Sequence, residues 1–370
     1  MSQPILRLGS LPPIRLSTGT LLAVVVLAVI VQPTLMRAGL GAGTAIVLAV
    51  AVGVAMIASV LVHEMAHALV ARAFGGTVDH IALTLWGGHT QYRGEGIGAA
   101  GSTLISLAGP ASNLLLAGSA AGAAALIPDG GAGSLVLSLI GYLNLALAVF
   151  NLLPGLPMDG GRALESVLGA VLSSRTRGTR ITAWIGRGIA VLVLVVPLWR
   201  LAGSELGTGT LLTVLWAVLI ASLLWQGATR ALQGAQVQDR VEVLDARGLA
   251  QRLPLLPAEQ PVAALDRMPA GPGQVLVVAA PTAPGAHPQV MLPDAGALAA
   301  VPAQARGSTP LAAVSTALGP LVPLRADLRG DALVSVMLDA PAPFYLVRED
   351  DGSALGVINT ARVQQHLRGR

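Results

Sequence analysis

Residues 44–69 read TAIVLAVAVGVAMIASVLVHEMAHAL, an apolar run that carries His63, Glu64 and His67 near its end. A helix needs about 20 predominantly apolar residues to cross a bilayer. A charge at its centre costs about 2.5–3.5 kcal/mol on insertion scales. Ionisable groups persist at that depth only where something binds or pairs with them. Residues i and i+4 share one helical face, so His63 and His67 can offer imidazole nitrogens to a single metal ion. Glu64 lies one position round, near the metal without having to ligate it, where a carboxylate could deprotonate a bound water. A chance HExxH on a soluble surface helix has none of this apolar surrounding.

The rest of the composition agrees with a membrane setting. Hydrophobic residues make up 54% and charged residues 11% of the chain, and the mean hydropathy is +0.70, well outside the soluble globular range. Cysteine is absent, so disulfides and thiolate metal sites are excluded and any zinc must use His and carboxylate ligands. All 23 basic residues are arginine, the net charge is only +4 and aromatics are 3%. No arginine stripe interleaved with aromatics appears, which gives nucleic-acid binding little support.

Apolar runs predict six membrane segments, at about 18–36, 44–72, 102–127, 135–158, 182–202 and 209–229. The first is read as a retained helix rather than a cleaved signal, because no small-x-small site follows it before Gln32-Pro33. From about Gln238 the composition shifts, and 12 of the 19 acidic residues fall from Asp239 onward. The expected division is a six-helix membrane domain over 1–237 and a cytoplasmic α/β domain over 238–370. Arginines cluster before the first helix, around the 73–101 connection, between helices four and five, and after helix six. By the positive-inside rule both termini are expected to be cytoplasmic, with the HExxH toward the cytoplasmic end of its helix.

The 75–93 connection predicts strands at Thr77-Val78, Ile81–Leu85 and Thr90–Tyr92, punctuated by glycine pairs. Such a hairpin either covers the site or offers its edge to an extended peptide. Catalytic zinc usually has three protein ligands plus water, so a third ligand is needed. Asp129 and Glu205 fall on the wrong side of the membrane, and Asp79 and Glu95 fall in the surface hairpin. Asp159 sits in NLLPGLPMDGGR, residues 151–162, expected at the inner end of helix four. Pro154, Pro157 and the glycines must break the helix there, and broken helix at membrane depth is tolerated only beside protein or a watery cavity. Glu165 and Arg162 are expected to form a local ion pair.

HEMAH in an early membrane helix together with NLLPGLPMDGGR in a later one resembles the site-2 protease family of intramembrane zinc metalloproteases. The resemblance implies zinc held by His63, His67 and Asp159, one ion per chain, with Glu64 as catalytic base. It implies Asn151 as a polar residue near the substrate or oxyanion, and Gly109-Pro110-Ala111-Ser112-Asn113 resembles a Gly-Pro segment of the family. His89 matches no family ligand and is read as structural or substrate-facing. His80, His287 and His366 are read as ordinary surface or loop residues.

In the last third, Gln274–Ala279 and Phe344–Val347 read as buried strands. The second continues through an acidic glycine turn into Ala354–Ile358 and a helix over Thr360–Leu367, which resembles the end of a CBS module. Family CBS pairs often bind adenine nucleotides through a Thr and an Asp after this strand. Here Thr360 is kept and Val363 stands where the acid is expected, so a dimerisation or gating role is expected without a bound nucleotide. The fold expected is therefore an α-helical polytopic membrane protein with a cytoplasmic α/β CBS-like domain. The function expected is cleavage of membrane-anchored single-pass regulators such as anti-sigma factors, in the lipid bilayer. A zinc or small-solute transporter with a broken-helix site is the alternative, although Glu64 sits where hydrolysis, not transport, requires a base.

Overall fold

The computed structural model describes residues 12–85, 87–94, 96–127, 131–202, 208–268, 275–281, 283 and 285–368. Two compact units divide the chain, Met1–Ala235 and Gln236–Arg370.

The first unit begins with a short strand, β1 (Ile14–Leu16), followed by helices α1 (Thr18–Arg37) and α2 (Ala42–Ala73). A hairpin of β2 (Thr77–Thr84) and β3 (Gly87–Arg93) leads to α3 (Ala99–Ala125) and α4 (Ala132–Asn151). Then come α5 (Asp159–Val171), α6 (Arg175–Ala202) and α7 (Thr208–Glu242), whose residues from Gln236 onward fall in the second unit. Among the described residues six helices are long and apolar enough to cross a membrane, all but α5 of the seven. Each overlaps one of the six expected segments, and the protein is a multi-pass helical membrane protein.

Small residues on one face decide how α2 is seated. Its buried residues include Ala45, Ala49, Val52, Gly53, Met56, Ser59, His63, His67 and Ala71, spaced at the helical repeat. In lipid, helices associate through close backbone approach rather than through water exclusion. A side chain at Gly53 would strike the Val24 carbonyl of α1. Ser59, His63 and His67 continue this stripe, so the packing that seats α2 also turns its polar residues inward. On α3 the buried series Ile105, Gly109, Asn113, Ala117, Ala120 and Ala124 repeats the pattern, and on α4 it is Gly141, Asn144 and Ala148.

Helix four departs from expectation. It ends at Asn151, and Asp159 opens the separate, amphipathic α5 rather than closing α4. The prolines of 152–158 withhold backbone donors, and the chain turns back tightly enough that a side chain at Gly161 would overlap Gly155. The expected ion pair of Arg162 with Glu165 is replaced: Glu165 Oε1 accepts from Thr179 Oγ1 of α6 at 2.5 Å.

The hairpin belongs to a three-stranded sheet in the order β1-β2-β3, with β1 parallel to β2 and β3 antiparallel to it. β1 lies outside every strand expected from sequence. The backbone N–H of Ser17 and the hydroxyl of Thr20 both donate to the Leu83 carbonyl, at 3.1 and 2.9 Å. The start of α1 is thereby tied to β2.

The second unit holds one six-stranded sheet. After the end of α7 it runs through a short helix, α8 (Ala246–Leu249), β4 (Leu255–Pro257), β5 (Leu276–Ala279), β6 (Gln289–Pro293) and α9 (Ala295–Ala300). It continues with β7 (Ser315–Arg325), α10 (Gly330–Asp339), β8 (Phe344–Arg348), β9 (Ala354–Asn359) and α11 (Thr360–Arg368). The strand order follows the chain, β4 to β9. In each half a parallel pair is followed by an antiparallel one: β4–β5–β6, then β7–β8–β9. A 3-10 turn at Val262–Arg267 stands between β4 and β5 where α10 stands between β7 and β8, so both halves follow one strand–helix–strand–strand–helix order. Alternate residues of β5 and β8 enter different cores: Val277 in one, Tyr345 and Val347 in another, and Leu276 and Phe344 in a third on the opposite face. Strands buried on both faces need no polar alternation, which explains the unbroken apolar runs. Gln274, expected to open β5, lies outside the described residues. Val363 is buried in the core beneath α11.

Candidate metal centre and active site

The stripes on α2 and α3 and the first turn of α5 converge on one point. His63 Nε2 and His67 Nε2 lie 3.1 Å apart, and Asp159 Oδ2 is 3.1 Å from the first and 3.3 Å from the second. A tetrahedral set at zinc's ~2.0–2.2 Å bond lengths has edges of about 3.3–3.6 Å. Three converging donors of the His and carboxylate type at this spacing fit a zinc ion. They are also the His/Asp cluster within metal-binding reach among the described residues.

The other nitrogen of each ring is held by α3. His63 Nδ1 lies 2.5 Å from Asn113 Oδ1, and His67 Nδ1 lies 2.7 Å from the Ile105 carbonyl. Ile105, Gly109 and Asn113 are four residues apart, so one face of α3 underlies both imidazoles. Gly109 is the middle of that face, and a methyl there would overlap both Nε2 atoms. Pro110, next along, cannot donate to the Ser106 carbonyl four residues back and opens the helix ladder at this turn. Partners of this kind fix ring orientation and tautomer in metal sites.

Glu64 is buried beside the three donors without being one of them. Thr90 Oγ1 of β3 reaches its Oε2 at 2.7 Å and its backbone carbonyl at 3.0 Å. These groups line a cavity of about 480 Å³ bounded also by Gly88, His89, Ser106, Asn151 and Arg162. Asn151 thus reaches the cavity, with Nδ2 donating to Leu147 O at 3.0 Å. His89 lines it too, outside the metal-binding cluster, and stands edge-on to His80 with ring centres 6.1 Å apart. Outside the membrane spans, a hydrogen bond from Arg93 holds the Asp79 carboxyl below the usual carboxylate range. Burial pushes the His80 imidazole down.

Asn113, Asn144 and Thr90 were not singled out as site residues from sequence. The first two carried a usable signal: each is an amide on the small-residue face of an apolar helix, where an unpaired polar group would be costly. Thr90 carried none, since its contact depends on how the hairpin folds over α2.

A multi-pass membrane protein with a buried His–His–Asp cluster and an adjacent glutamate is the class that fold and site define. Residues 131–196, which contain NLLPGLPMDGGR, match Peptidase family M50. The chain is 32% identical over 222 residues to sll0528 of Synechocystis sp., named as a candidate zinc metalloprotease. That match covers 59% of this chain and 57% of the relative, so the chain spans little more than half the length of the protein it resembles. Among solved structures, the site-2 protease of Methanocaldococcus jannaschii aligns with 24% identity and a TM-score of 0.44, over 63% of this chain and 95% of that one. The CBS domain of a bacterial CNNM/CorC family Mg2+ transporter aligns with 14% identity and a TM-score of 0.26, over 37% of this chain and 86% of that one. The resemblance to the site-2 proteases read from the two motifs is borne out by the family and sequence matches.

Proposed function

We propose that the chain is an intramembrane zinc endopeptidase that cleaves transmembrane segments of membrane-anchored regulatory proteins, of the anti-sigma-factor kind. The observation that carries this reading is Glu64, buried beside the His63–His67–Asp159 cluster on the wall of a cavity among apolar helices. A transporter has no use for a base at that position.

His63, His67 and Asp159 would hold one zinc per chain. Zinc there would polarise a peptide carbonyl and lower the pKa of water toward ~7. Glu64 accepts the proton of the attacking water on a carboxylate that Thr90 keeps pointed at the cavity. An amide carries two N–H donors, and Asn151 uses one on its own helix. The second serves the developing oxyanion. A substrate helix hides its carbonyls in i to i−4 bonds and must unwind before cleavage. Among the described residues β3 pairs with β2 on one side only, and Gly87 to Tyr92 all line the cavity. An unwound segment laid along this edge gains the backbone partners that it lost by unwinding.

In this reading residues 1–237 are the protease domain, with both termini cytoplasmic and the cut near the cytoplasmic face. Residues 238–370 form a CBS-pair-like module for homodimerisation or gating. The test is reconstitution in vesicles with single-pass substrates. The expected result is a zinc-dependent, chelator-sensitive cut whose fragment masses place it inside the transmembrane segment. Cutting only in soluble loops would overturn the reading.

Removal of the third ligand supplies a separate check. Asp159→Ala is expected to lower bound zinc to a small fraction of wild type, because two histidines alone make a weak site. Equilibrium dialysis with metal analysis measures it, and wild-type affinity in this variant would refute the ligand assignment.

A further inference from the structure

Asn144 lies on α4 and is fully buried. Its Nδ2 donates to the Ile140 carbonyl at 2.9 Å and to Ser59 Oγ at 3.2 Å. Ser59 in turn donates its hydroxyl proton to the Ala55 carbonyl at 3.0 Å, so toward Asn144 it offers a lone pair. Backbone carbonyls only accept. Both N–H groups of Asn144 are thereby committed, and flipping its amide would set oxygen against oxygen at Ile140. Its Oδ1 must then face Asn113, whose Nδ2 donates to it at 2.8 Å. With that end of Asn113 fixed as donor, its Oδ1 faces His63 Nδ1. An oxygen acceptor there demands a proton on Nδ1 and leaves the Nε2 lone pair free, on the nitrogen that faces His67 and Asp159.

We propose that Asn144 is a positioning residue that sets the tautomer of His63 through Asn113. It does so along a one-way chain of hydrogen bonds anchored on the carbonyls of Ala55 and Ile140. The proposal rests on the metal-site reading in that His63 is a ligand through Nε2. Buried amides are ambiguous in isolation, since either end can face a neighbour. Without Asn144 the Asn113 amide can turn its NH2 toward His63. That selects the Nε2–H form, which cannot ligate.

The first measurement is on full-length, zinc-free wild-type protein in detergent micelles, labelled with 15N-histidine and held above the imidazole titration. Comparison with His63→Gln assigns the signal. The expected result is His63 protonated on Nδ1, against the Nε2–H preference of free imidazole side chains. An Nε2–H signal overturns the proposal. The second measurement is zinc affinity by chelator competition. Asn144→Leu is expected to weaken it about 10–100-fold, as for other partners that orient metal ligands. Adding Asn113→Asp to that variant should restore it, because a carboxylate presents acceptors at both ends and cannot turn the wrong way. Undiminished affinity in Asn144→Leu, or a double variant as weak as the single one, overturns the proposal. If wild-type protein takes up no zinc, the metal-site reading has failed, while the nitrogen spectrum still decides the tautomer.

Discussion

Glu64→Gln protein is expected to keep its zinc and to lose about 10²–10⁴-fold in peptidase turnover, the range that a positioned general base supplies. Glutamine has nearly the same shape and can still accept from Thr90, so the cavity wall stays in place. It cannot take a proton from water. Single-turnover cleavage of a reconstituted substrate, with metal analysis on the same sample, separates the two effects. Near-normal cleavage would show that Glu64 is not the base and that another group takes the proton of the attacking water. Loss of zinc would mean that Glu64 holds the cluster together rather than doing chemistry.

Gly109→Ala should be nearly as damaging, although alanine is the better helix former. The added methyl would overlap both Nε2 atoms. Neither ring can swing aside freely, because each Nδ1 is held by the same helix, at Asn113 and at Ile105. Zinc affinity is expected to fall about 100-fold or more, at the upper end of what perturbing ligand orientation costs. Gly118 on the same helix meets nothing within 4 Å, so Gly118→Ala serves as the control and should bind zinc like wild type. Equal affinity in the two variants would show that the α3 face is not fitted to the imidazoles.

Hydropathy and two motifs made much of this molecule legible. Six spans followed from runs of apolar residues, because bilayer thickness imposes their length. HEMAH and the Asp159 segment could be joined because ionisable residues are so few in the membrane half. What stayed hidden depends on distant partners. β1 is three residues long, carries no period of its own and exists only through its pairing with β2. The end of α4 was misplaced because apolarity continues past Asn151 while the prolines and glycines stop the helix. Asn113 and Asn144 lay in view on small-residue faces, but their roles needed the facing helices. In the second unit the later half was clear from two apolar strands around an acidic turn. The earlier half is built of shorter strands and a 3-10 turn at Val262–Arg267, which give weak patterns.

The anchoring of α1 on β2 has a consequence for motion. Two donors, one from Ser17 just before that helix and one from Thr20 in its first turn, end on the single carbonyl of Leu83, and the strand bearing it backs the cavity edge. Opening either partner exposes the same acceptor, so the two should come apart together. Hydrogen–deuterium exchange is expected to show the β2 amides and those of the first turn of α1 losing protection as one cooperative unit. Independent rates would mean that the helix start frays while the strand stays shut.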